Sequence, residues 1–131
     1  MVSKLSQYEA MLDKKQLTES PLSLEEIERI DATGLSTIER HHLRLLSHCL
    51  SSFKAIANGS CLGPLPVEKE RLRWLLDQPA LTNERAFIFV LLEQFAGAAH
   101  QLERLADEYK ISPLELTLDE LIKSKLRARK T

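Results

Sequence analysis

The segment from Glu84 to Lys110 restricts the fold of this chain more than any other, because it opens on seven consecutive apolar residues, Ala86-Phe87-Ile88-Phe89-Val90-Leu91-Leu92. A run of that length suits a buried strand or part of a buried helix, and the run alone does not separate the two. Its continuation does: Phe95, Ala98, Ala99, Leu102, Leu105 and Tyr109 follow at helical spacing, and no other segment offers a partner strand. The spacing therefore predicts one long helix, apolar on all sides in its first turns, with Thr82 or Asn83 as its N-cap. A helix of that kind is normally buried by neighbours on several sides, so it is expected at the centre of an all-α fold.

Helices can be placed around it from their start and stop signals. Ser23 with Glu26 forms a capping box, in which the hydroxyl accepts from the third backbone amide and the carboxylate reaches back to the first. It leads into Leu24, Ile27 and Ile30, and that short helix ends near Gly34. Ser36 with Glu39 repeats the box and starts a long helix running to Asn58, where Gly59 supplies a left-handed C-cap. Ile38, His42, Leu45, Leu46, Cys49, Phe53 and Ile56 fall on one predicted stripe of this helix, with Arg40, Arg44, Ser47, Ser51 and Lys54 opposite.

The stretch 58–66 holds two Gly and two Pro and reads as a defined turn. Pro66 then opens a helix carrying Leu72, Trp74, Leu75 and Leu76, stopped by Pro79. Beyond Ile111, Ser112 with Glu115 and Thr117 with Glu120 are overlapping capping boxes, either of which can start a terminal helix with the stripe Leu118, Leu121, Ile122 and Leu126. The expected architecture is a single-domain helical bundle of about five helices over 23–126, preceded by a partly ordered arm, 1–22, and followed by a basic tail, 127–131. Within the arm, Leu5, Tyr8 and Leu12 stand at helical spacing ahead of Pro21.

Composition removes several classes of function. At 131 residues, 44% of them apolar and 28% charged, the chain can build one ordinary core and has no excess of either kind to suggest disorder. A formal net charge of −1 provides no field to draw in nucleic acid or an anionic membrane. The exception is local, since Lys123, Lys125, Arg127, Arg129 and Lys130 follow one another without an acid. The longest apolar run falls far short of the roughly 20 residues that span a bilayer. The first residues carry charge throughout, so no signal peptide is expected and a cytoplasmic location is. Cys49 and Cys61, eleven residues apart by intervening count, fit neither a zinc knuckle nor a redox pair and are expected as reduced thiols, the first buried and the second accessible.

Candidate chemistry is sparse. His41 and His48 share a direction but lie about 10.5 Å apart along a helix axis, too far to share a zinc ion. His42 falls within the predicted apolar stripe and is expected as a hydrogen-bonded core histidine with a lowered pKa, the alternative being a metal site completed by His100 or Cys49. Glu93 is expected on the exposed side of the long helix. No glycine-rich phosphate loop, serine elbow or second buried carboxylate is present, so neither an enzyme nor a cofactor is expected. The segment LADEYKISPLEL has helix-turn-helix spacing, but its second helix would present Glu115, Asp119 and Glu120 to DNA, which disfavours nucleic acid as a partner. Arg71, Arg73 and Trp74 form a candidate partner surface, the alternative being that Trp74 closes the core over the turn at 59–66. The small-residue run Ala96-Gly97-Ala98-Ala99 suits close packing inside the molecule or a homodimer seam equally.

At ERHHLRLLSHCLSSFKAIA and again at PLELTLDELI, the chain resembles a group of short helical cyanobacterial proteins of unknown function, over residues 23–122. That resemblance implies a cytosolic or thylakoid-side helper and carries over no catalytic residue. The expected function is thus a non-catalytic helical interaction module, an adaptor or assembly factor with an unidentified protein partner. A helix-turn-helix regulator is the first alternative and a metal- or small-ligand-binding bundle the second.

Overall fold

The computed structural model describes residues 23–129, and the predicted N-terminal arm lies outside them. Five α-helices occur among the described residues: α1 (Leu24–Asp31), α2 (Thr37–Ile56), α3 (Glu68–Leu76), α4 (Arg85–Tyr109) and α5 (Leu118–Arg129). Short 3₁₀ turns, Pro79–Leu81 and Pro113–Glu115, join the later ones, and the described residues contain no strand. The all-α bundle expected from the spacing is the fold that forms.

Its core is the contact between the two long helices. Phe53 of α2 and Phe95 of α4 meet edge to face, with ring centroids 5.2 Å apart and planes at 64°. Leu43, Leu46, Cys49 and Leu50 from α2 and Ile88, Leu91, Ala98 and Leu102 from α4 extend this layer along both axes. α3 lies against both helices, while α1 and α5 pack on α2.

The capping boxes do what their chemistry requires. Ser23 N–H donates to Glu26 Oε1 at 3.0 Å and Glu26 N–H to Ser23 Oγ at 3.1 Å. The Ser36–Glu39 pair repeats this at 3.1 and 3.2 Å. α2 ends at Ile56, short of the expected Asn58, and Asn58 itself takes the left-handed position after the Ala57 cap at φ 58°, followed by Gly59 at φ 81°, whose N–H donates to Lys54 O at 2.7 Å. The two overlapping boxes divide the work: Ser112 N–H donates to Glu115 Oε2 and opens the 3₁₀ turn, while Thr117 N–H donates to Glu120 Oε1 immediately before α5, both at 2.7 Å. The Ser112 hydroxyl also accepts from Gly63 N–H at 2.9 Å, which ties the Gly/Pro turn to the far end of the fold.

Four other expectations change. First, the buried face of α2 is rotated and widened: Leu43, Ser47, His48 and Leu50 are buried, Leu45 and His42 are half-buried, and Ile38 is 80% exposed. Ile38, at the head of the predicted stripe, lies in the first turn, where no described residue buries it, whereas Leu43, Leu46, Leu50 and Phe53 mark the inward line. Because α2 is flanked by all four other α-helices, even Ser47 on the expected polar side is enclosed. Second, α4 has no side-chain N-cap; Glu84 holds that position and the Thr82 hydroxyl instead donates to Pro79 O at 2.8 Å, inside the 3₁₀ turn. Third, α3 starts at Glu68 rather than Pro66, with Val67 N–H donating to Glu70 Oε1 at 3.1 Å. Fourth, α5 runs into the expected tail, where Arg127 pairs with Glu108 at 3.5 Å and lies 5.4 Å from the centre of the Tyr109 ring.

Both cysteines are free thiols, Cys49 at 0% exposure and Cys61 exposed in the Gly/Pro turn. Native thiol labelling is therefore expected to modify Cys61 at once and Cys49 only on unfolding, because a reagent cannot reach a thiol at 0% exposure. Fast labelling of both would contradict the packing of α2.

Candidate partner surface

On α4, the inward line Ile88, Leu91, Phe95, Ala98, Leu102 leaves an opposite line that is exposed among the described residues. Ala86, Phe89, Glu93, Ala96, Gly97 and His100 are all exposed, and they recur every three or four residues, so they share one face. Phe89 is 64% exposed. The expectation that the first turns of this helix would be buried on every side thus fails at Ala86 and Phe89, with Phe87, Val90 and Leu92 half-buried. Glu93 is exposed as its position suggested.

The small-residue run splits between the two faces. Ala98 and Ala99 are buried, while Ala96 and Gly97 point outward. A Cβ placed on Gly97 would meet no described atom within 4 Å, so no neighbour among the described residues requires glycine there. Glycine in a helix interior costs about 0.5–1 kcal/mol relative to alanine. Here that cost leaves a shallow step two turns along the exposed face from a large aromatic ring.

Arg71, Arg73 and Trp74 do not form one outward patch. The Trp74 ring lies 6.4 Å from Phe95, tilted at 44°, and so closes the core against α4. Arg71 also turns inward: its guanidinium lies 5.8 Å from the centre of the Phe53 ring and Nη1 donates to Phe95 O at 3.4 Å. Arg73 alone is exposed.

His42 sits at the rim of the core, its Nδ1 2.5 Å from Lys125 Nζ and its ring hydrogen-bonded to the Gln101 side chain. Burial, and then the Lys125 ammonium, lowers its pKa. The histidine that the core encloses is His48, 8% exposed, whose pKa burial pushes down to about 4. His48 lies nearly opposite the line Leu43, Leu46, Leu50, Phe53 on the helix, so that line gave no pointer to it; it is enclosed because α2 has neighbours on several sides. Among the described residues no three His, Cys, Asp or Glu side chains converge as a metal site. Cys49 is sealed in the core and His100 faces outward on α4.

The helix-turn-helix segment is likewise occupied with folding. Asp119, in the first turn of α5, pairs with Arg29 of α1, Glu120 receives the Thr117 amide, and Leu118 and Leu121 are buried. A helix used in this way presents carboxylates rather than base-reading donors at its N-terminus.

A family model described as NDH complex assembly factor CRR9 matches residues 22–131. The chain belongs to this family. Neither a curated protein nor a solved structure matches it. Membership of CRR9 accords with the assembly-factor reading and with a protein partner, and it covers the residues over which the resemblance to short helical proteins was drawn. No helix among the described residues is long and apolar enough to cross a membrane.

Proposed function

We propose that this chain is a non-catalytic assembly factor of the NDH complex that holds an amphipathic helical segment of an incoming subunit against the outward face of α4. The observation that carries this reading is the exposed aromatic Phe89 on one face with the step at Ala96 and Gly97. A partner helix can seat a large apolar side chain over the small residues and cover the Phe89 ring, which is the helix-on-groove mode of recognition. Fully covering a side chain of this size contributes about 1.5–3 kcal/mol, enough to bias binding and small enough to let a completed subunit leave. The family's role in NDH complex assembly supports that complex as the assembly served.

Phe89→Asp tests it. The substitution is at an exposed position, so the fold should change in stability by no more than about 0.5 kcal/mol. Co-purification with NDH complex intermediates should be lost, and assembled complex should fall in cells carrying the variant. Arg73→Ala should leave both unchanged. Retained association in Phe89→Asp together with loss in Arg73→Ala would move the partner surface to α3.

A further inference from the structure

A second feature of the surface is not used by the α4 face. Between α4 and α5 lies a shallow groove of about 210 Å³, with Leu46, Leu105 and Leu121 along its floor and Arg104, Gln101 and Lys125 on its walls. Its charges are unevenly satisfied. Glu108 also lines the groove, but its carboxylate is engaged by Arg127. Arg104 makes no hydrogen bond or ion pair with any described residue. The Lys125 ammonium rests against the His42 imidazole. Glu39 is the acid that acts on Lys125, and its Oε1 already receives the Ser36 amide in the capping box of α2.

We propose that this groove binds an aspartate or glutamate side chain from an acidic segment of a protein partner, its carboxylate held between Arg104 and Lys125 and its methylene stem on the leucine floor. Two features favour a protein carboxylate over a phosphate, since the planar fork of Arg104 suits either group. The floor is apolar and suits an aliphatic stem, while Gln101 and Ser124 offer neutral donors at the rim. Glu108 stands at the same groove and repels a phosphate, with its charge of about −1.5 to −2, more strongly than a single carboxylate. The groove is lined by the C-terminal half of α4 and by α5 over Leu46 of α2, away from Phe89 near the start of α4, so it extends the contact with the assembly beyond the Phe89 face and is tested separately from it.

The test is an NMR titration of the full chain with a synthetic Glu-rich peptide, a matched peptide with glutamine at each glutamate, and inorganic phosphate. The acidic peptide should perturb Gln101, Arg104, Ser124 and Lys125 and bind at least about tenfold more tightly than the glutamine peptide or phosphate, with affinity falling as salt rises. Arg104→Gln, at an exposed position that leaves the core intact, should weaken the peptide about tenfold, and Lys125→Met should do the same. Phe89→Asp should not alter this binding, which separates failure here from failure of the α4 face. Equal binding of the glutamine peptide, tighter binding of phosphate, or unchanged affinity in both groove variants would overturn the proposal.

Discussion

Phe53→Ala should destabilise the protein by about 3–5 kcal/mol, the usual range for removing a buried phenylalanine. Phe53 is 0% exposed, its ring meets Phe95 edge to face at 5.2 Å, and the Arg71 guanidinium covers another side at 5.8 Å. Truncation removes the transfer energy of the ring, leaves a cavity where α2 and α4 meet, and strips Arg71 of its aromatic partner. Two long helices held on both sides cannot collapse into that space. Small domains are stable by only about 5–15 kcal/mol, so the variant should lie close to the unfolding threshold. Leu91→Ala, at the next contact along α4, should cost about 2–5 kcal/mol. Denaturant unfolding measures both, as a lower midpoint with an unchanged slope. Wild-type midpoints in both variants would mean that α2 and α4 do not share this core.

Acid should destabilise the fold chiefly through His48. Its folded pKa is about 4, set by burial, while the unfolded chain should titrate near the ordinary histidine value of about 6.5. Between those values the unfolded state takes up a proton that the folded state refuses, so acidification favours unfolding. Stability should be intact above about pH 6.5 and decline as the pH falls toward 4, by up to about 3 kcal/mol from this residue, at 1.36 kcal/mol for each pKa unit. His42 shifts in the same direction and adds a smaller loss, because it is half-buried and remains in contact with solvent. Stability measured at a series of pH values should therefore show a slope that flattens more in His48→Leu than in His42→Gln. The slope is the informative quantity, since either substitution also alters packing at neutral pH. A slope that persists in His48→Leu and vanishes in His42→Gln would place the proton-sensitive histidine at the rim.

Much of this fold was legible because its signals are local. The capping boxes at Ser23 and Ser36 form in both directions and those at Ser112 and Thr117 form their carboxylate half, each a contact between residues three apart whose geometry needs no knowledge of the rest of the chain. The continuation of the apolar run through Phe95 and Leu102 likewise identified α4 as a helix. The errors arise where tertiary neighbours decide. A single stripe assumes one neighbour, but α2 has partners on several sides, so His48 and Ser47 are buried and Ile38 is not. The apolar run predicted burial on every side, yet a helix that binds something outside the fold carries the same signature as one enclosed within it. Phe89 shows the difference only once the other helices are placed. Trp74, Arg71 and Arg73 illustrate the converse: an aromatic and two cations in one short helix suggested an interface, and α4 draws two of the three inward. The groove between α4 and α5 joins residues from distant segments and left no mark in the sequence beyond the late excess of cations.

An assembly role for the outward face of α4 requires an NDH subunit against Phe89. A photocrosslinking phenylalanine analogue introduced at position 89 of the full chain, activated in cells assembling the NDH complex, reports this directly. Adducts at position 89 should contain a subunit of that complex, and the same analogue at position 73 should give none. A chain that co-purifies with NDH intermediates yet forms its adducts from position 73 and none from position 89 would contradict the assignment of the outward face of α4.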